Sequence, residues 1–304
     1  MTNAWIQRAL TIALMLLAGC IAVWTWQKQP YLLTLSIFLP LSLVGFFELM
    51  QFALLRYINR FDPSPKASLA EYGKAYAGEL ITSIKVFNLW QPFMRHSIPD
   101  NLNPDLQQLR GVILVHGFFC NRGLWMPWLR QLQKEGRVFV ALDLAPAFGS
   151  INNYAPLIEK AVQQVWQATG KAPVLVGHSM GGLAIRAWAC RQNSAPPSPE
   201  SQTRVHRVIT LGTPHYGTWL GQFSQTINGQ QMRMNSQWLL DLQASEKSCP
   251  VPPITCLYSN CDNIVFPVSS AALVGADNRL VRGLGHVQMV MNQGVMQMCW
   301  ALMK

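Results

Sequence analysis

Charge is what this chain has least of. Only 12% of its 304 residues are Asp, Glu, Lys or Arg, against 50% hydrophobic, which excludes a disordered, solvating polypeptide and points to burial in a core or a bilayer. Acidic side chains are the scarcer sign, 14 against 24 Lys and Arg, giving a formal net charge of +10. That excess forms no dense Lys/Arg run and comes with no aromatic RNA-binding motif and no zinc-finger spacing, so nucleic acid is excluded as a partner. Paired Cys-x-x-Cys is also missing. Cys249, Cys256 and Cys261 have no histidine near them in sequence, which argues against a zinc site, and no metal or other cofactor is implied.

The apolar excess is concentrated at the N-terminus. Residues 9–26 and 31–55 form two apolar runs, each near the ~20 residues that span a bilayer. Between them stands only Gln27-Lys28-Gln29-Pro30, so residues 1–60 read as a transmembrane helical hairpin. Trp24, Trp26 and Tyr31 would mark one interface, Trp5 and Tyr57 the other. Arg8 precedes the first run and Arg56, Arg60 and Lys66 follow the second, against Lys28 alone at the tip. The positive-inside rule then places both ends, and the domain behind them, in the cytoplasm. A competing reading starts from Leu17-Ala18-Gly19-Cys20, which resembles a lipobox and would export the domain as a lipoprotein acylated at Cys20. The apolar residues after Cys20 and the second complete run favour the hairpin.

Residues 61–105 read as a connector. After Asp62-Pro63-Ser64-Pro65, the residues Leu69, Tyr72, Tyr76, Leu80, Ile84 and Phe87 recur at helical spacing; such a face lies on a membrane or packs on the next domain. Pro92, Pro99 and Pro104 then break the chain. From 106 to 304 the pattern alternates. Apolar runs at 111–115, 138–142, 174–176, 205–211 and 254–258 read as strands, with helical stretches at 124–134, 154–169 and 183–191 and a Pro/Ser-rich loop at 193–202. Strand and helix in alternation predict an α/β domain: a mostly parallel sheet with helices on both faces.

One motif on this frame carries chemistry. Gly177-His178-Ser179-Met180-Gly181 follows Pro173-Val174-Leu175-Val176 and precedes a helix, a strand, sharp turn and helix with Ser179 at the apex. A nucleophilic serine needs a base, an acid that orients the base, and donors for the oxyanion. Of six histidines, His286 in Gly283-Leu284-Gly285-His286 lies downstream in a glycine-freed loop; His178 is inside the elbow, His116, His206 and His215 fall at strand ends or loops, and His96 precedes the domain. For the acid, Asp262 follows the 254–258 strand and would emerge at the carboxyl edge of the sheet. Asp277 and Asp143 are its rivals, the first at the wrong end of a strand and the second upstream of the serine. The backbone N–H of Met180 and that of Phe118, in His116-Gly117-Phe118-Phe119, are the candidate oxyanion donors.

Together, His116-Gly117, Gly177-His178-Ser179-Met180-Gly181-Gly182, Gly212-Thr213-Pro214-His215-Tyr216-Gly217-Thr218, Asp262-Asn263-Ile264-Val265 and Gly285-His286 resemble the motifs of bacterial lipases and esterases of the α/β-hydrolase superfamily. The resemblance covers residues from about 110 to the C-terminus. It implies an α/β-hydrolase fold, a Ser179–His286–Asp262 triad, an oxyanion hole of Phe118 and Met180 amides, and cleavage of lipid or other acyl esters through an acyl-enzyme. A thioesterase or acyltransferase using the same triad, and an inactive membrane scaffold, are the alternatives. The N-terminal hairpin departs from the family, whose secreted members carry a cleavable signal. The insertion at 214–250, with Trp219, Leu220, Phe223, Met232, Met234 and Trp238, is a candidate cap over the serine.

Overall fold

The structure, a computed structural model, describes residues 3–28, 33–103, 109–192, 204–249 and 252–304, with backbone alone for 33–41 and 192. Gln29 and Pro30 of the expected hairpin tip, Tyr31, Pro104 and the Pro/Ser-rich segment 193–202 lie outside the described residues.

Six strands form one sheet: β1 (Val112–Val115), β2 (Phe139–Ala141), β3 (Val174–His178), β4 (Arg207–Leu211), β5 (Ile254–Ser259) and β6 (Asp277–Val281), in the order β2-β1-β3-β4-β5-β6. Every pairing is parallel. The five expected strands are all present. Their continuous apolar runs follow from burial on both faces: Val112, Leu114, Val174 and Val176 belong to one core, while Ile113, Val115 and Leu175 belong to the other, as the two-residue period of a strand requires. β6 is the strand at whose beginning Asp277 was expected, although it was not among the five apolar runs. It pairs on one side only, and Asp277-Asn278-Arg279 is too polar to read as a buried strand.

Eleven α-helices accompany the sheet among the described residues: α1 (Asn3–Lys28), α2 (Leu33–Ile58), α3 (Leu69–Lys85), α4 (Gln91–Phe93), α5 (Met126–Lys134), α6 (Ala155–Thr169), α7 (Met180–Gln192), α8 (Ile227–Gln231), α9 (Gln237–Glu246), α10 (His286–Met291) and α11 (Gln293–Leu302). The first core packs α5, α10 and α11 around Trp125 and Trp128, and the indole of Trp128 donates to the Val290 carbonyl at 2.7 Å. On the opposite face, Ile158, Val162 and Val165 of α6 and Leu183 and Trp188 of α7 fill the second core.

Ahead of this domain α1 and α2 pack on each other. Among the described residues α1 is the one helix long and apolar enough to cross a membrane by length and composition, with a mean hydropathy of 2.0. Large apolar side chains on both helices face outward, Leu16, Trp24 and Phe46 among them. α3 begins with a capping box, Ser68 with Glu71, and packs on α10 and α2. Its buried face differs from the expected stripe: Leu69 is exposed, Tyr72 and Tyr76 are half-buried, and the residues turned inward are Ala75, Glu79, Thr82 and Ser83. A half-polar face is buried because it meets a helix end that needs acceptors. Residues 214–249 lie along the domain, with Met232 and Leu239 in the second core and Trp219 against Phe266.

Candidate active site

Ser179 stands at the turn between β3 and α7 with φ +55°, a left-handed conformation that a non-glycine residue adopts only when its surroundings hold it there. Its amide donates to the Leu211 carbonyl at 2.9 Å and its carbonyl accepts from Gly182 at 3.1 Å. The flanking glycines are required by close approach. A Cβ on Gly177 would lie 2.6 Å from the Gly182 nitrogen, and one on Gly181 2.2 Å from the Val115 carbonyl oxygen. α7 therefore starts immediately after the serine, three residues earlier than its apolar spacing indicates.

His286 opens α10, and its Nδ1 lies 2.9 Å from both carboxylate oxygens of Asp262. Asp262 follows β5, is 1% exposed, and its Oδ1 also accepts from the amides of Ile264 at 3.0 Å and Val265 at 2.8 Å. These amides fix the carboxylate, which in turn fixes Nδ1 as the protonated ring nitrogen. Burial pulls the His286 pKa down, but the charge and hydrogen bond of Asp262, with the more distant Glu79, outweigh it and leave it above the ordinary 6.5. The chain passes beneath this pair at Gly212, φ +53°, where a Cβ would stand 2.8 Å from Asp262 Oδ2 and 3.2 Å from His286 Nδ1.

The rival acids are elsewhere. Asp277 pairs with Thr255 in the β5–β6 register, four strand steps or about 13 Å before the end of β5, and is half-exposed and bonded to Arg279. Asp143 accepts from the Arg122 amide at 2.9 Å and pairs with Arg95 at 3.4 Å, holding a loop. The other buried histidines serve the framework. His116 accepts from the Leu144 amide at 3.0 Å, the His178 ring packs 4.5 Å from that of His286 and its Nε2 donates to the His286 carbonyl at 3.3 Å, and His215 lies beside Arg186, which grips Glu246 at 2.6 Å. Burial holds His178 and His215 well below the ordinary value.

Phe118 follows Gly117, whose Cβ position would be 2.7 Å from Ser179 Cβ, so this loop runs against the serine. Its shape depends on residues that sequence patterns do not expose. Phe119 has φ +55°; its carbonyl accepts from Gln7 Nε2 at 2.8 Å, and the Cys120 carbonyl from Asn3 Nδ2 at 2.7 Å. Gln7 also accepts from Asn121 at 3.1 Å. The first two turns of α1 thus grip the loop after β1. α2 contributes Gln51, which accepts from Asn263 Nδ2 at 2.7 Å, while Asn263 Oδ1 accepts the His286 amide at 3.1 Å. Glu79 of α3 accepts from the amides of Val287 at 2.9 Å and Gln288 at 2.8 Å. Nothing in the sequence of α3, which also carries Glu71, Lys74 and Lys85, sets Glu79 apart.

Ser179, His286 and Phe118 face a common cavity of about 600 Å³. Much of its remaining lining comes from α1, α2 and α3, with Phe87 and Asn88 just beyond α3 and Asn263 and Ile264 beside Asp262; among the described residues none of 214–250 lines it, so the cover expected from that insertion is supplied largely by the N-terminal helices instead. Among the described residues no group of three His, Cys, Asp or Glu is placed to hold a metal ion.

The sequence profile of the alpha/beta hydrolase family matches residues 112–295. No curated protein matches the sequence significantly. Among solved structures, the mature form of the Bacillus licheniformis lipase BlEst2 superposes with a TM-score of 0.56 at 16% identity, covering 64% of this chain and 92% of that one. Aspergillus fumigatus lipase B superposes with a TM-score of 0.51 at 20% identity, covering 61% of this chain and 50% of that one.

Proposed function

The chain belongs to the alpha/beta hydrolase family, and on that premise we propose that it is a membrane-anchored serine ester hydrolase, acting on lipid or other acyl esters. The observation that carries this reading is the buried Asp262–His286 pair opening into the same cavity as Ser179 at its left-handed turn. His286 Nε2 takes the Ser179 hydroxyl proton as the oxygen attacks the ester carbonyl, and Asp262 holds the resulting imidazolium. The amides of Phe118 and Met180 receive the oxyanion. The proton then passes to the departing alcohol, and water, activated by the same histidine, releases the acid. That both superposing structures are named lipases supports an acyl ester as substrate.

In this reading α1 and α2 are two spans of the inner membrane: their outward apolar side chains support a bilayer around them, and Arg8, Arg56, Arg60 and Lys66 against Lys28 alone at the tip support the cytoplasmic side for the domain. The test is labelling of the full chain in isolated membranes with a fluorophosphonate, together with turnover of p-nitrophenyl esters. Ser179→Ala should abolish labelling and lower kcat by at least about a thousandfold. Asp262→Asn should lower it severely while Asp277→Asn does not. Labelling that persists in Ser179→Ala refutes the nucleophile, and a wild type that neither labels nor turns over would be an inactive scaffold.

A further inference from the structure

The cavity does not end at the catalytic residues. Gln7 and Gln51, bonded to the Phe119 carbonyl and to Asn263, mark the level of Ser179 on α1 and α2. Leu14 and Val44, which also line the cavity, lie two helical turns further along, about 10 Å away. Between these levels the lining is Leu10 and Phe47, with Thr11 and Glu48 beside them. Leu10 and Phe47 remain about half exposed, 53% and 57%, so the slot between the helices is open to whatever surrounds them. Of the polar lining, Gln7, Gln51 and Glu79 are bonded to the framework of the site, and Thr11 donates to Asn88 at 3.4 Å.

We infer that α1 and α2 build the acyl-binding half of this active site, admitting a long-chain ester sideways from the bilayer so that its chain lies between Leu10, Leu14, Val44 and Phe47. This rests on the serine esterase reading. An apolar slot that begins at a nucleophile and opens among outward-facing apolar side chains suits an occupant with a reactive polar end and a long apolar tail. Among the described residues no Lys or Arg lines the cavity, and its charged residues are Glu48 and Glu79. Glu48 Oε2 is buried without a hydrogen-bond partner. An acceptor there suits a hydroxyl on the alcohol part of the ester and opposes a phosphate. The helices are therefore a specificity element as well as an anchor.

The experiment compares p-nitrophenyl palmitate with p-nitrophenyl butyrate, using the full chain in detergent micelles. Leu14→Trp and Val44→Trp should each lower the palmitate-to-butyrate ratio of kcat/KM at least about tenfold; the ratio cancels any loss common to both esters, and circular dichroism in the same micelles reports an intact fold. Leu16→Trp, on an exposed position outside the cavity, should leave the ratio unchanged. Wild type should also cleave monopalmitoylglycerol faster than palmitoyl lysophosphatidylglycerol. An unchanged ratio in both filled variants, or preference for the phosphate-headed lipid, overturns the inference while leaving the esterase reading intact. Loss of both chromogenic activities in Ser179→Ala bears on that reading alone.

Discussion

Replacing Glu79 by glutamine tests whether α3 holds the helix that carries His286. The two oxygens of Glu79 accept from Val287 at 2.9 Å and Gln288 at 2.8 Å, amides of the first turn of α10 that have no partner inside the helix. Glutamine keeps the shape but offers one oxygen, so one amide would face an NH2 group. An unmet buried donor costs about 1–3 kcal/mol. At roughly 2–4 °C per kcal/mol for a chain of this size, Glu79→Gln should melt roughly 2–12 °C below wild type, followed by near-UV circular dichroism in micelles. Burial pushes the Glu79 carboxyl up to about 7, with the two amides pulling it back. Because the folded value exceeds the ordinary 4.5, the stability linked to its proton is complete below 4.5 and is lost as pH rises through about 7. Wild type should show that decline and the variant should not. The Glu79 charge is also one of the influences raising His286, so the acid limb of kcat/KM should move to lower pH in the variant. Equal melting temperatures together with superimposable pH profiles would refute the reasoning; a filler of space would change the first and not the second.

The pH profile of the wild type is a second expectation. A general base works unprotonated, and Asp262 holds His286 above its ordinary 6.5 despite burial, so kcat/KM should be lost as pH falls through a value above 6.5. An acid limb below 6.5 would contradict the pairing. The stability contribution of this group has the opposite sense, complete below 6.5 and lost as pH rises through the raised value. For Gly212→Ala, a left-handed φ of +53° and a Cβ 2.8 Å from Asp262 Oδ2 should cost about 1–2 kcal/mol in strain and reduce kcat about tenfold or more through displacement of the acid–base pair. Gly170→Ala is the control: φ is +63° with nothing within 4 Å, so it should lose comparable stability and keep its kcat. Equal kcat in the two variants would deny the close approach at Gly212.

Much of the fold was legible because its signals are local. A strand buried on both faces is apolar along its buried length, and Val112–Val115 and the Val174-Leu175-Val176 run of β3 are. β6 shows in the sequence only through its short apolar end, Leu280-Val281, because an edge strand carries one covered side and can be as polar as Asp277-Asn278-Arg279. The stripe on α3 misled because the apolar positions Leu69 and Tyr72 gain less burial than Glu79, whose carboxylate meets unpaired amides of α10. Chain order and strand-end placement singled out Asp262, and the folded chain sets it against His286 rather than leaving Asp277 or Asp143 within reach.

By itself, the sequence determined the sheet, the turn at Ser179 and the apolar character of the first sixty residues. In each case the requirement is met by neighbours a few positions apart: a period of two, or a glycine where two backbones touch. What covers the serine was decided only in three dimensions. The insertion at 214–250 had the composition of a cap, yet the cavity is walled by α1 and α2. That outcome depends on bonds such as Gln7 to the Phe119 carbonyl and Gln51 to Asn263, between residues separated by 112 and 212 positions. A single buried amide that finds its acceptor across that distance leaves no periodicity behind, so the residues that place α1 and α2 over Ser179 are visible only once the chain has folded.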